Sequence, residues 1–163
     1  MARKRHSQIS ASELAARKRR VIRIARRMGF VGTVEYLHLQ SRSGGAQYGR
    51  AVDVERDRLT VFAEAFEKDA DPEEFSLEAI IAHERGPQLL AQHPTLRRSL
   101  PAVWSDRSDE IAASLLGSLL VWDDRDRENL IAKATYDALG YGSDLAGVMH
   151  RVRELRILLE DIL

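Results

Sequence analysis

Apolar positions Leu14, Val21, Ile22, Ile24, Ala25 and Met28 recur at helical spacing along a basic stretch. They predict an amphipathic helix, capped by Ser10 or Ser12 and stopped at Gly29, whose narrow stripe needs a surface to lie on. From Thr33 to Gln40 the period changes to two: Val34, Tyr36 and His38 on one side, Glu35, Leu37 and Leu39 on the other. Ser41 to Gly49, with Gly44-Gly45, reads as a flexible connection. Ala51 to Glu55 and Leu59 to Phe66 read as strands joined by Glu55-Arg56-Asp57-Arg58, which predicts a small antiparallel sheet of about three strands. Asp71-Pro72 is then expected to open a helical half, with Ser76 as a second candidate cap. Later helices are expected from about Ser108 to Trp122, Asp124 to Leu139 and Ser143 onward, punctuated by Gly140 and Gly142. Strands early and helices late make the fold class α+β.

Composition adds little to this picture, except in how charge is distributed. Among 163 residues, 44% are hydrophobic and 31% charged, ordinary values for one globular domain. No apolar run suits a membrane span. The absence of cysteine excludes disulfides, thiolate metal sites and cysteine nucleophiles. The basic start has no apolar core of the kind a secretory signal needs. The net charge is zero, yet the residues up to Phe30 hold ten Lys/Arg (Arg3, Lys4 and Arg5 among them) against the single acid Glu13. The rest of the chain carries the opposite excess. Residues 1–30 therefore read as a basic arm and helix, and residues 31–163 as a single domain. Arg17, Lys18, Arg19, Arg20, Arg23, Arg26 and Arg27 can serve a nucleic acid or other anionic partner, or the helix can dock on its own acidic body.

Candidate chemistry centres on Leu77-Glu78-Ala79-Ile80-Ile81-Ala82-His83-Glu84-Arg85-Gly86-Pro87. The zinc-peptidase motif H-E-x-x-H puts two histidines four apart on one helix face and uses the Glu as general base. His83 and Glu84 stand where that motif needs them, and Pro87 occupies the place of the second histidine. At 100° per residue Glu84 falls on an inward arc with Leu77, Ile80 and Ile81, where a carboxylate is costly unless paired or on a metal. Glu78, Arg85 and Gln92, seven apart, are expected to form the wet stripe of this helix. A helix through Gly86-Pro87 gives up roughly 1 kcal/mol at Gly and about 3 at Pro, so a kink or break at Gly86 is expected. Downstream, Glu110 shares a helical face with Ala113, Ser114, Gly117 and Val121, small enough to let another helix approach closely.

Ala82-His83-Glu84-Arg85-Gly86, followed by Glu110-Ile111-Ala112-Ala113 at the head of an apolar helix, resembles the ImmA/IrrE-type metallopeptidases, a zincin-like family of intracellular bacterial proteins. The resemblance covers roughly Gly32 to Val121. It implies zinc as cofactor, His83 and Glu110 as metal ligands, Glu84 as the catalytic base, and a protein substrate such as a transcriptional repressor. It also implies a cytoplasmic setting. Position 87 departs from the pattern, since proline has no side-chain donor. Two protein ligands remain where a catalytic zinc uses three, so zinc binding is expected to be weak or absent and peptidase activity impaired. His38, His93 and His150 are expected to be ordinary histidines rather than replacements, as is His6.

Three functions follow as expectations. The first is a metallopeptidase-like protein that hydrolyses peptide bonds through metal-activated water. The second is a non-catalytic peptide-binding or regulatory module on the same fold. The third is a nucleic-acid-associated protein using the basic helix, which lacks aromatic residues for base stacking.

Overall fold

The computed structural model describes residues 8–41, 44–99, 109–139 and 145–162. Helix α1 (Ala11–Arg27) starts at Ser10, whose hydroxyl accepts the Glu13 N–H at 3.1 Å. It ends through Met28 and Gly29, whose φ of 79° is left-handed backbone suited to glycine. Strands β1 (Thr33–Leu37), β2 (Ala46–Gly49) and β3 (Arg58–Phe62) follow. Then come α2 (Ala63–Ala70), α3 (Leu77–Gln92), the short α4 (Pro94–Ser99), α5 (Asp109–Leu120), α6 (Asp124–Leu139) and α7 (Leu145–Ile162). The class is α+β, as the pattern predicts. Ser108, Gly140, Gly142 and Ser143, expected at helix ends, lie outside the described residues, as do His6, Arg3, Lys4 and Arg5.

The three strands form a mixed sheet of order β1-β3-β2, not the antiparallel one expected. β1 runs parallel to β3, with Tyr36 opposite Val61, and β2 runs antiparallel to it, with Tyr48 opposite Leu59. Two shifts produce the difference. The connection expected at Ser41–Gly49 contains β2, while Ala51–Glu55 is no strand. Val52 is fully exposed, and Val54–Arg56 forms one 3-10 turn. Asp57 holds that loop: its carboxylate accepts the Ala51 N–H and the Tyr48 hydroxyl, both at 2.8 Å. The third strand also stops four residues early. Ala63-Glu64-Ala65-Phe66 alternates like a strand but consists largely of good helix formers, and it opens α2.

Asp71 does not open a helix. It caps the C-terminus of α2, and its side chain accepts the Glu73 N–H in a turn. Ser76 takes the N-cap role for α3, accepting the Ala79 N–H at 3.1 Å. From there α3 runs unbroken through Pro87 to Gln92, so of the kink or break expected at Gly86 there is no break. Burial of Gly86 just before the proline and of Gln88, Leu89 and Leu90 beyond it offsets its local cost. Leu89, Leu90, Ile111, Leu115, Leu116 and Leu155 form one apolar cluster. A second joins α1 to the sheet and the front of α3 through Val21, Ile24, Leu59, Val61, Ala79 and Ile81. Thus α1 shares the core of residues 31–163.

The wet stripe expected on α3 is also corrected. Arg85 is 4% exposed, because the C-terminal end of α1 covers that face. Its guanidinium donates to the Met28 carbonyl at 3.2 Å, to Gln88 at 2.9 Å and to Gln92 at 2.7 Å. Gln88, itself fully buried, donates to Asp57 at 2.8 Å and bridges both backbone groups of Val31. Glu78 pairs with Arg20 of α1 at 3.5 Å.

Candidate functional site

The site is made where α3 crosses α5, and small residues set how close the crossing is. A Cβ on Gly86 would lie 2.8 Å from the Cα of Ala113, and one on Gly117 would lie 3.1 Å from the backbone of Ala82 and His83. Gly86 and Gly117 thus let each helix rest on the backbone of the other. The stripe Ala113, Ser114, Gly117 and Val121 is buried there, as its small side chains predict. Its first member, Glu110, is thereby brought to the ring of His83.

His83 Nε2 lies 3.2 Å from Glu110 Oε2, and His83 Nδ1 lies 3.6 Å from Glu84 Oε1. The contact with Glu110 has ion-pair distance but not hydrogen-bond alignment, so Nε2 is a buried nitrogen with no directed partner. Burial works against the imidazolium, but the nearby carboxylates of Glu110 and Glu84 prevail and raise the His83 pKa. In return His83, more than Lys133, lowers the pKa of Glu110. Three residues expected together from the sequence therefore meet.

These groups line a cavity of about 230 Å³ with Gly44, Ala46, Phe75, Ile80 and two lysines. Lys68 donates to the Gly44 carbonyl at its rim. Lys133 comes from α6. Its ammonium lies 3.3 Å from Glu110 Oε2 and 2.8 Å from Asp137 Oδ2. Burial lowers its basicity, but Asp137 and Glu110 outweigh that and raise its pKa. Nothing in its local sequence marks it, since an i,i+4 Lys–Asp pair is a usual surface feature of helices.

The other described histidines are elsewhere. His38 Nδ1 contacts the Tyr36 hydroxyl at 2.9 Å, His93 caps the end of α3, and His150 pairs with Glu154 on α7. Of the seven arginines and lysines on α1, four are held internally. Arg17 donates to Tyr36 and Glu13, Arg20 to Asp69 and Glu78, and Arg26 to the Phe30 and Gly32 carbonyls. Arg27 lies 3.7 Å from the centre of the Trp122 ring. Lys18, Arg19 and Arg23 face solvent.

A metal at this place can be tested against the donors present. The undirected Nε2 of His83 suits a ligand, and Glu110 offers an oxygen beside it. The rest of the set does not suit. Catalytic zinc takes three protein ligands, Pro87 has no donor, and a cation already sits against Glu110. The residues therefore do not fit a catalytic zinc.

Comparison with protein-family models, curated proteins and solved structures finds no match for this chain.

Proposed function

We propose that this chain is a peptide-binding protein on a zincin-type frame, with metal-dependent hydrolysis lost or crippled at position 87. The observation that carries the reading is the meeting of His83, Glu84 and Glu110 in one cavity beside the edge strand β2. Phe62 donates to the Gly45 carbonyl, and bonded pairs alternate along an antiparallel ladder. The peptide groups of Ala46 and Tyr48 consequently point away from β3. An extended segment can pair with them while its side chains reach the cavity, a mode that gives affinity through the main chain. Phe75 and Lys133 also line a second hollow of about 480 Å³ beside α6, so the path for such a segment continues past the site.

The resemblance to zincin-like metallopeptidases supports a protein segment as the ligand. With two protein donors and a proline, catalysis through a bound metal has little to stand on. The nucleic-acid reading has on α1 the exposed charges Lys18, Arg19, Arg23, Arg26 and Arg27, of which Arg26 and Arg27 are already engaged within the chain. That is a thin footprint for binding that scales with phosphate contacts.

Nuclear magnetic resonance titration with a peptide pool from digested casein tests the proposal. Shifts are expected at Ala46–Gly49 and at Ile80, His83, Glu84 and Glu110, with intact casein left uncleaved. A flat titration to millimolar peptide, or casein cleavage abolished by a zinc chelator, overturns it.

A further inference from the structure

We propose that Lys133 has taken the place of the metal, serving as the resident cation of the site beside Glu110. This inference rests on the zincin-type reading above and deepens it: two features, Pro87 and Lys133, keep a divalent ion out.

The geometry is specific. Glu110 Oε2 lies between His83 Nε2 at 3.2 Å and Lys133 Nζ at 3.3 Å. Zinc bonds to carboxylate oxygen and imidazole nitrogen at about 2.0–2.2 Å. An ion held by His83 and that Glu110 oxygen would thus lie no more than about 5.5 Å from the ammonium. Glu110 is exposed and Lys133 partly so, and solvent weakens the repulsion between a dication and an ammonium there. The separation is well inside a Debye length, so the repulsion is not removed. Lys133 is held there, since Asp137, one turn along α6, binds Nζ at 2.8 Å. Glu84, Glu110 and Asp137 are the acids of this corner, and Lys133 and His83 are the bases facing them, with Lys68 at the rim. The charge that the carboxylates would ask of a metal is already supplied from within the chain. The ammonium has three N–H donors, and Glu110 and Asp137 account for two.

The experiment uses Zn²⁺ itself as the probe, measured by competition against a fluorescent chelator, with circular dichroism to confirm folding. Wild type, Pro87→His, Lys133→Met and the Pro87→His/Lys133→Met pair are compared. Wild type and Lys133→Met are expected to bind no stoichiometric zinc. Pro87→His binds weakly, and the double variant binds one zinc at least tenfold more tightly. Pro87→His/Lys133→Arg, which keeps the charge, is expected to stay as weak as Pro87→His. Should Lys133→Met unfold the chain, Lys133→Gln keeps polar contacts with Asp137 while removing the charge. Equal zinc affinity in Pro87→His and the double variant overturns the assignment to Lys133 and leaves the peptide reading untouched. A folded double variant without zinc overturns it too, and with it the zincin reading of the donors. Stoichiometric zinc in the wild type does the same to both the exclusion and the role of Pro87.

Discussion

Asp57 carries more of the fold than its place in a charged loop suggests. It is 1% exposed, and Ala51 N–H, the Tyr48 hydroxyl and Gln88 Nε2 all donate to its carboxylate. Burial alone would raise its pKa, but these hydrogen bonds and the charge of Arg50 hold it below the ordinary value. The carboxylate pushes Tyr48, already raised by burial, further up. A folded pKa below the unfolded one means that folding favours the ionised form. The stability it contributes is fully present above about pH 4 and is lost as pH falls through the folded value. Asp57→Asn is therefore expected to lose about 1–3 kcal/mol at pH 7. The gap from wild type should narrow as pH drops below 4, measured by urea melts at a series of pH values. A gap independent of pH would show that the charge of Asp57 is not what the loop depends on.

At the scale of elements, the α3–α5 crossing decides whether a site exists. Helix propensity alone would make Gly→Ala favourable by up to about 1 kcal/mol. At Gly86 the added methyl would meet the Cα of Ala113 at 2.8 Å, and backbone cannot swing aside. Overpacking of this kind costs about 1–3 kcal/mol, so Gly86→Ala is expected to be destabilising on balance. Gly117→Ala meets backbone at 3.1 Å and should cost less. Urea midpoints of the two variants give the order, and stabilisation by both would mean that the helices are not in backbone contact. The small stripe of α5 was legible in the sequence because small residues at helical spacing imply a close neighbour. The unbroken course of α3 was not. Gly86-Pro87 is a stop signal by local energetics, and only the packing of Gln88, Leu89 and Leu90 overrides it.

For the molecule as a whole, α1 is the question the sequence left open. Val21, Ile24, Ala25, Met28 and Phe30 lie in one apolar cluster with Leu59, Val61, Ala79 and Ile81. Arg20 reaches Asp69 and Glu78 across that contact. Removing residues 1–30 would expose the sheet face and the front of α3, and leave Arg85 without the Met28 carbonyl. The shortened chain 31–163 is expected to lose cooperative unfolding, seen as collapsed amide dispersion and a broad thermal transition. A well-dispersed spectrum from it would make α1 a separable arm. Among the described residues, no helix is long and apolar enough to cross a membrane.

The resemblance supplied the expectation that His83 and Glu84 meet a later Glu110; local pattern by itself determined the α+β class, a cap for α1 at Ser10 or Ser12, the cap at Ser76 and the small-residue stripe of α5. These depend on period, on backbone donors at helix ends and on small residues at one spacing, all of which act over a few turns. Tertiary structure alone decided the direction of β1, the burial of Arg85, the passage of α3 through Pro87 and the arrival of Lys133. Each of these turns on energy exchanged between segments far apart in the chain. A buried arginine needs the end of α1 above it, and the charge of Lys133 matters only because α6 packs beside α5. Local propensities weigh about a kilocalorie per residue, and burial shared between elements weighs more.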